Sequence, residues 1–297
     1  TASGYYSHSE GSFTTAYGDN SHAEGGGSRA IGNNSHSEGN LTSAIGNNSH
    51  AEGNRTTAVG GHAEGNLTTS FNFDSHAEGN FTTSYGSASH SEGYYTTAFG
   101  NNGSHAQGYY TTAIGLSSSS SGLYTKAVAN GSTASGYYTT ASGYNSNASG
   151  YYTTASGNYG SHAEGRFTEA SNDQAHAEGR WTTASGIVSH SEGAYTTASG
   201  NYSHAEGRDT TASGTGSHAE GKDTTVSGDY RLVVYVLEND LQKGSAYDQH
   251  NYMNADATSP WYGFGDPMPA SKYKHQHVLR QSLESGIWGV TIDASKL

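Results

Sequence analysis

Twelve His–Glu pairs recur in this chain inside one five-residue motif, Ser-His-Ala-Glu-Gly or a close variant. They are His8 with Glu10, His22 with Glu24, His36 with Glu38, His50 with Glu52, His62 with Glu64, His76 with Glu78 and His90 with Glu92. After a gap come His162 with Glu164, His176 with Glu178, His190 with Glu192, His204 with Glu206 and His218 with Glu220. Imidazole two residues from a carboxylate can act as an acid–base pair, ligate Zn²⁺ or Ni²⁺, or form an ion pair. An enzyme does not place its catalytic pair in a dozen equivalent copies, so no catalytic residue is assigned. In the gap the frame continues with Ser119, Thr133 and Asn147 at the His position, and there Glu gives way to Ser121, Ser135 and Ser149. Loss in tandem implies that His and Glu satisfy one another as a structural ladder. His105, with Gln107, is the exception, and this pair can still hydrogen-bond. A carboxylate beside imidazole should raise the His pKa and make stability depend on pH. A metal ladder assembled between rungs or chains is the alternative, but nothing demands it, so no cofactor is expected.

The spacing that positions these pairs is 14 residues, with rare slips to 12 or 15, over about 16 coils ending near Gly221. Halfway between the His pentads lies a second one, Thr-Thr-Ala-x-Gly, as in Thr14-Thr15-Ala16-Tyr17-Gly18. Each unit is thus two short strands, closed by Gly and a tight turn for which Gly supplies positive φ. Pro is absent before position 260, as expected if every rung donates backbone hydrogen bonds to the next. Alternation puts His and Glu on one face and Ser, Ala and Gly on the other. The fold class is all-β: a 14-residue-repeat parallel β-solenoid over 1–228, followed by a small, incomplete β-sandwich-type domain over 229–297. A coil this small encloses little volume, and its small-residue face suits close approach of another backbone. A homo-oligomer, three chains by preference, is therefore expected, with a single-chain solenoid as the alternative.

Composition agrees with a thin core. Gly contributes 42 residues and Tyr 23, whereas Leu, Ile, Val and Phe together contribute only 32 of 297. With a net charge of −13 such a chain ordinarily reads as disordered, but disorder does not hold a frame for 16 coils. Zero Cys excludes disulfides, and no run of about 20 apolar residues spans a bilayer as a helix. The acidic balance argues against nucleic acid as a partner.

The repeat resembles the head of trimeric autotransporter adhesins, whose units read Ser-Val-Ala-Ile-Gly. Ala30-Ile31-Gly32, Ala44-Ile45-Gly46 and Ala58-Val59-Gly60 come close to it. It is similar, too, to the Ser-His-Ala-Glu-Gly and Thr-Thr-Ala-Ser-Gly arrays of phage appendages and bacterial surface proteins. The resemblance covers 1–228 and implies a left-handed, trimeric, extracellular β-roll. From Asp229 the pattern changes. Arg231 to Leu237 is a strand run, 251–270 an aromatic loop, and His277 to Leu283 a further strand or short helix. Val233 to Glu238, His275, His277 to Leu283 and Trp288-Gly289 resemble the 28-kDa outer-membrane-protein-related family of Bacteroidota. That implies a cell-envelope or secreted module. His250, His275 and His277 could form a metal site, but no Cys helps and the spacing is loose, so the favoured reading is that they donate hydrogen bonds to loop backbone. Both ends look cut, the first residues reading as the tail of a Thr-Thr-Ala-Ser-Gly unit, as expected for a stretch of a longer protein.

Two further columns run along the coils. The residue after Ala in the second pentad is apolar from Tyr17 to Val128, then Ser from Ser142 to Ser227. At the turn before Thr-Thr sit Leu41, Leu67, Phe81, Tyr95, Tyr110, Tyr138, Tyr152, Phe167, Trp181 and Tyr195. These aromatics either cover neighbouring corners or form a contact surface for host or prey glycans. Thr rows on a solenoid also raise ice binding, but only one Thr of each pair can face outward. The expected function is a non-catalytic structural or adhesive rod on a bacterial outer membrane or in a secreted fibre, a phage tail appendage being the alternative setting. A glycan-binding module is the second reading.

Overall fold

The computed structural model describes residues 1–237, 277–282 and 287–293, with side chains through Val233. The chain divides into two compact units, Thr1–Gly160 and Ser161–Leu297. Among the described residues there is no helix; the chain is a parallel β-solenoid of about 16 coils. Eleven lie in the first unit and five in the second.

Each coil has one long and one short strand. In a representative coil the long strand is His36–Asn40 and the short one Ser43–Ala44. Coils stack in parallel and in register, His22 on His36, Glu24 on Glu38 and Gly25 on Gly39. The corners are tied in as well: Leu41 N–H donates to the Gly26 carbonyl at 2.7 Å and Asn48 N–H to Asn33 at 2.9 Å. Asn side chains add ladders of their own, Asn40 to Asn54 to Asn66 to Asn80, at 2.9–3.2 Å.

Corner chemistry differs from the expectation that Gly supplies the turn. In most coils both corners are turned by a non-glycine residue in the left-handed region, such as Leu41 (φ 55°) and Asn48 (φ 58°), whereas Gly27, Gly131 and Gly216 take that place at three corners. Asn tolerates this conformation, whereas bulky residues adopt it at a cost of about 1–2 kcal/mol. Glycine serves the stacking instead. A Cβ on Gly46, whose φ is not positive, would lie 2.0 Å from the Val59 carbonyl oxygen of the next coil. Gly39 combines both demands, with φ +117° and a would-be Cβ 2.1 Å from Gly53 O.

The interior contains nothing larger than Thr apart from Val226 and Val233 in the second unit. Each coil buries about four small side chains, as in Ser35, Ser37, Thr42 and Ala44, all within 1% exposure. The small-residue face is therefore filled by the coil's own opposite strand. That corrects the expectation that it awaits another chain's backbone. Buried hydroxyls bond locally: Ser49 donates to the Gly46 carbonyl at 2.6 Å, and Ser37 and Thr42 share a 2.8 Å hydrogen bond.

In the second unit, Arg231–Leu237 pairs in parallel with His218–Lys222 and antiparallel with Ile287–Asp293. His277–Ser282 pairs antiparallel with Ile287–Asp293. Within the segment read as strand or helix, His277–Ser282 is thus a strand. His250, His275 and the 251–270 loop lie outside the described residues, as does the His277 side chain.

Candidate functional site

Because the coil interior is closed, a site among the described coils must lie on the outward columns. The pleat turns His and Glu outward on the long-strand side, while the residue between them, such as Ala23, is fully buried. In all twelve pairs the Nε2–Oε2 separation is 3.2–3.8 Å. Most of these lie beyond ordinary hydrogen-bond length. The closest is His162 to Glu164 at 3.2 Å. Gln107 does not reach His105; its amide donates to Glu92 Oε2 of the preceding coil at 3.3 Å.

Imidazoles also meet one another from coil to coil, with ring centroids 4.6–5.0 Å apart, as for His36 and His50 at 4.8 Å. This changes the sign of the electrostatics. Burial and the charge of the neighbouring His62 push His50 below its ordinary value, against the raising effect of Glu52, Glu38 and Glu64. His90, His176 and His190 are lowered for the same reasons. The expectation of a raised His pKa considered the carboxylate alone, and it is wrong for these four. In these four, burial penalises the charged form most, and the charge of imidazoles in adjoining coils adds to it. No group of three His, Asp or Glu converges as a metal site among the described residues.

The corner aromatics form ladders. Phe81, Tyr95, Tyr110, Tyr124, Tyr138 and Tyr152 stack at centroid spacings of 4.6–5.3 Å with interplanar angles of 3–21°. A second rank, Tyr94 on Tyr109 and Tyr137 on Tyr151, stacks at 5.0 Å and meets the first edge-to-face. In the second unit Phe167 stacks on Trp181 at 4.1 Å, and Arg180 lies 5.6 Å over the Tyr195 ring. Tyr124, absent from the sequence-based ligand candidates, completes the column; its place in the 14-residue frame was the available signal. Ring faces in these ladders are covered by neighbouring rungs, so solvent sees edges and phenol hydroxyls. Beside the column runs a groove of about 400 Å³ lined by Tyr95, Tyr110, Thr112, Tyr124, Lys126, Tyr138 and Thr140.

The short-strand side carries the third column. Tyr17, Ile45, Phe71, Tyr85, Phe99, Ile114 and Val128 are each 36–54% exposed, and Phe71, Tyr85 and Phe99 stack at 4.6–4.7 Å. Of each Thr pair the first is buried and the second faces outward, as Thr56 and Thr57 do.

These coils, with Ser-x-Ala-x-Gly strands and outward columns, invite comparison with known repeats. The family model of the YadA head domain repeat, in two copies, matches residues 37–63, 134–159 and 205–230. The repeat is similar to a YadA head. The matched YadA head segments lie in both compact units and together cover less than half of the chain. They agree with the adhesin-head resemblance of the coils and with an adhesin-like structural rod; the likeness to the 28-kDa family is not part of that match. No curated protein sequence matches the chain. Among the described residues no helix is long and apolar enough to cross a membrane.

Proposed function

We propose that the chain is a non-catalytic, structural and adhesive rod segment of an extracellular or cell-surface fibre, working as a homotrimer. The observation that carries this reading is the apolar column on the short-strand side. Nine successive coils place Tyr, Ile, Val or Phe outward at one position, beside a closed interior of Ala, Ser and Thr. A monomer would expose that column along its whole length, and continuous exposed apolar surface marks an interaction site. Copies of the same chain fit it best, because a repeating column is complementary to itself under rotation. Stiffness comes from the ladders: eleven coils at about 4.8 Å per rung give roughly 50 Å of hydrogen-bonded stack in the first unit. The match to the YadA head repeat supports a surface setting, and a bacterial outer membrane is the one we favour. In this reading 1–228 is the roll and 229–297 an envelope-type β-module.

The test replaces Ile45, Phe99 and Ile114 together with Ser, the residue that other coils already carry there. The expected result is release of folded monomers with the β circular dichroism retained. An unchanged mass would overturn this interface.

A further inference from the structure

The groove beside the tyrosine column has a charge environment unlike the rest of the molecule. The chain carries 26 acidic residues, yet residues 93–163 contain no Asp or Glu, and the sole Lys or Arg there is Lys126. The groove lies inside this window. Lys126 stands in the outward Thr row, in register between Thr112 and Thr140, and it is exposed beside Tyr110, Tyr124 and Tyr138. On the long-strand side the same coils exchange Glu for Gln107, Ser121, Ser135 and Ser149. Acid is thus removed from both sides of the corner where the one cation is placed.

We infer that this groove binds a carboxylated linear oligosaccharide laid along the stacking direction. Its rungs are about 4.8 Å apart and present the same groups repeatedly: a phenol hydroxyl, a Thr hydroxyl and the edge of an aromatic ring. Ring edges carry the positive end of the quadrupole and covered faces cannot stack on a sugar, so the column favours oxygen-rich and anionic groups. The phenols of Tyr110 and Tyr138 are donors at neutral pH, and desolvation followed by the neighbouring tyrosines pushes their pKa further up. Lys126 supplies one ammonium for one carboxylate. A polyphosphate needs several cations in a row and meets only this one. An acidic peptide adding as a strand needs unpaired backbone, whereas Tyr110, Thr112, Tyr124 and Lys126 all donate their N–H to adjoining coils. This inference goes beyond the rod reading, and its failure would leave that reading untouched.

The test is calorimetry and saturation-transfer NMR on the whole chain with trigalacturonic acid and its methyl ester as probes. The variants are Lys126→Thr, which restores the residue of the neighbouring coils, and Arg55→Asn as a control cation outside the window. The acid is expected to bind, with the ester and Lys126→Thr each weaker by about tenfold, the loss of one charge-assisted contact. Arg55→Asn should bind as the parent does, and thermal melts check that each variant is folded. Equal binding of acid and ester, or binding unaffected by Lys126→Thr, would overturn the carboxylate assignment. No binding of either probe at millimolar concentration would overturn the site.

Discussion

Except at Thr224, which donates to the Glu220 carbonyl at 3.0 Å, position two of the long strand sets whether a buried threonine is satisfied, and an exchange between adjoining coils tests it. Where that position is Ser, its hydroxyl meets the Thr five residues on at 2.7–2.8 Å, as in Ser9–Thr14, Ser37–Thr42, Ser91–Thr96, Ser120–Thr125 and Ser191–Thr196. Where it is Ala, the buried hydroxyls of Thr56, Thr68, Thr82, Thr111, Thr139, Thr153, Thr168, Thr182 and Thr210 find no protein partner. Ser120 and Ala134 are register neighbours on consecutive coils, which makes them a matched pair. An unsatisfied buried hydroxyl costs about 1–3 kcal/mol, and a made hydrogen bond returns about 0.5–1.5 kcal/mol. Ala134→Ser should therefore stabilise by roughly 0.5–1 kcal/mol, because it pairs Thr139 while burying one further hydroxyl that is itself satisfied. Ser120→Ala should cost about 1–2 kcal/mol, since it strands Thr125. Thr125→Val on the Ser120→Ala background should recover part of that loss, whereas on the parent it should be destabilising. Urea denaturation followed by circular dichroism, arranged as a double-mutant cycle, reads the coupling. Equal costs for Thr125→Val on both backgrounds would refute the reasoning, as would a destabilised Ala134→Ser.

Other outcomes follow from the same geometry. Gly39→Ala should cost more than about 3 kcal/mol by combining a strained φ with a backbone clash, whereas Gly103→Ala, with φ +81° and open space around it, should cost about 1 kcal/mol; thermal melts separate the two. Val188 is a β-branched residue at φ 54°, so Val188→Asn should stabilise by about 1 kcal/mol in the same melts. Four of the column histidines make acid destabilising. The folded-state pKa of His50, His90, His176 and His190 lies below the unfolded value near 6.5, so the unfolded chain binds more protons in that window. Their contribution is complete above that value and is lost as pH falls through it. The melting temperature should drop from pH 7.5 to pH 5, and His50→Thr with His190→Thr, the residue that Thr133 supplies in its coil, should flatten the profile; a maximum near pH 5 would contradict this.

Much of this architecture is legible in the residues because a 14-residue frame fixes register by itself. His8 through His218 mark the long strands, and the alternation of His, Ala and Glu tells which side chain turns inward. Two features were misread for physical reasons. Gly looks like the turn residue, yet at Gly46 it answers a carbonyl on the next coil, a contact 12 or more residues away in sequence. The turning residues are Leu41, Tyr95 and Trp181, whose types argue against a left-handed conformation and which adopt it because the neighbouring coils' hydrogen bonds and ring stacking hold them there. The carboxylate two residues away suggests a raised His pKa, whereas for His50, His90, His176 and His190 burial in the stack, followed by the charge of imidazoles in adjoining coils, lowers it. The groove around Lys126 needed the fold, because Tyr95, Tyr110, Tyr124 and Tyr138 become one surface only when the coils are stacked.

The most direct test of the central claim is the solution mass of the whole chain at pH 7.5 by sedimentation equilibrium. A closed small-residue interior with an exposed apolar column predicts about 93 kDa, three times the 30.9 kDa of one chain. A stable, folded particle of one-chain mass at micromolar concentration would contradict it.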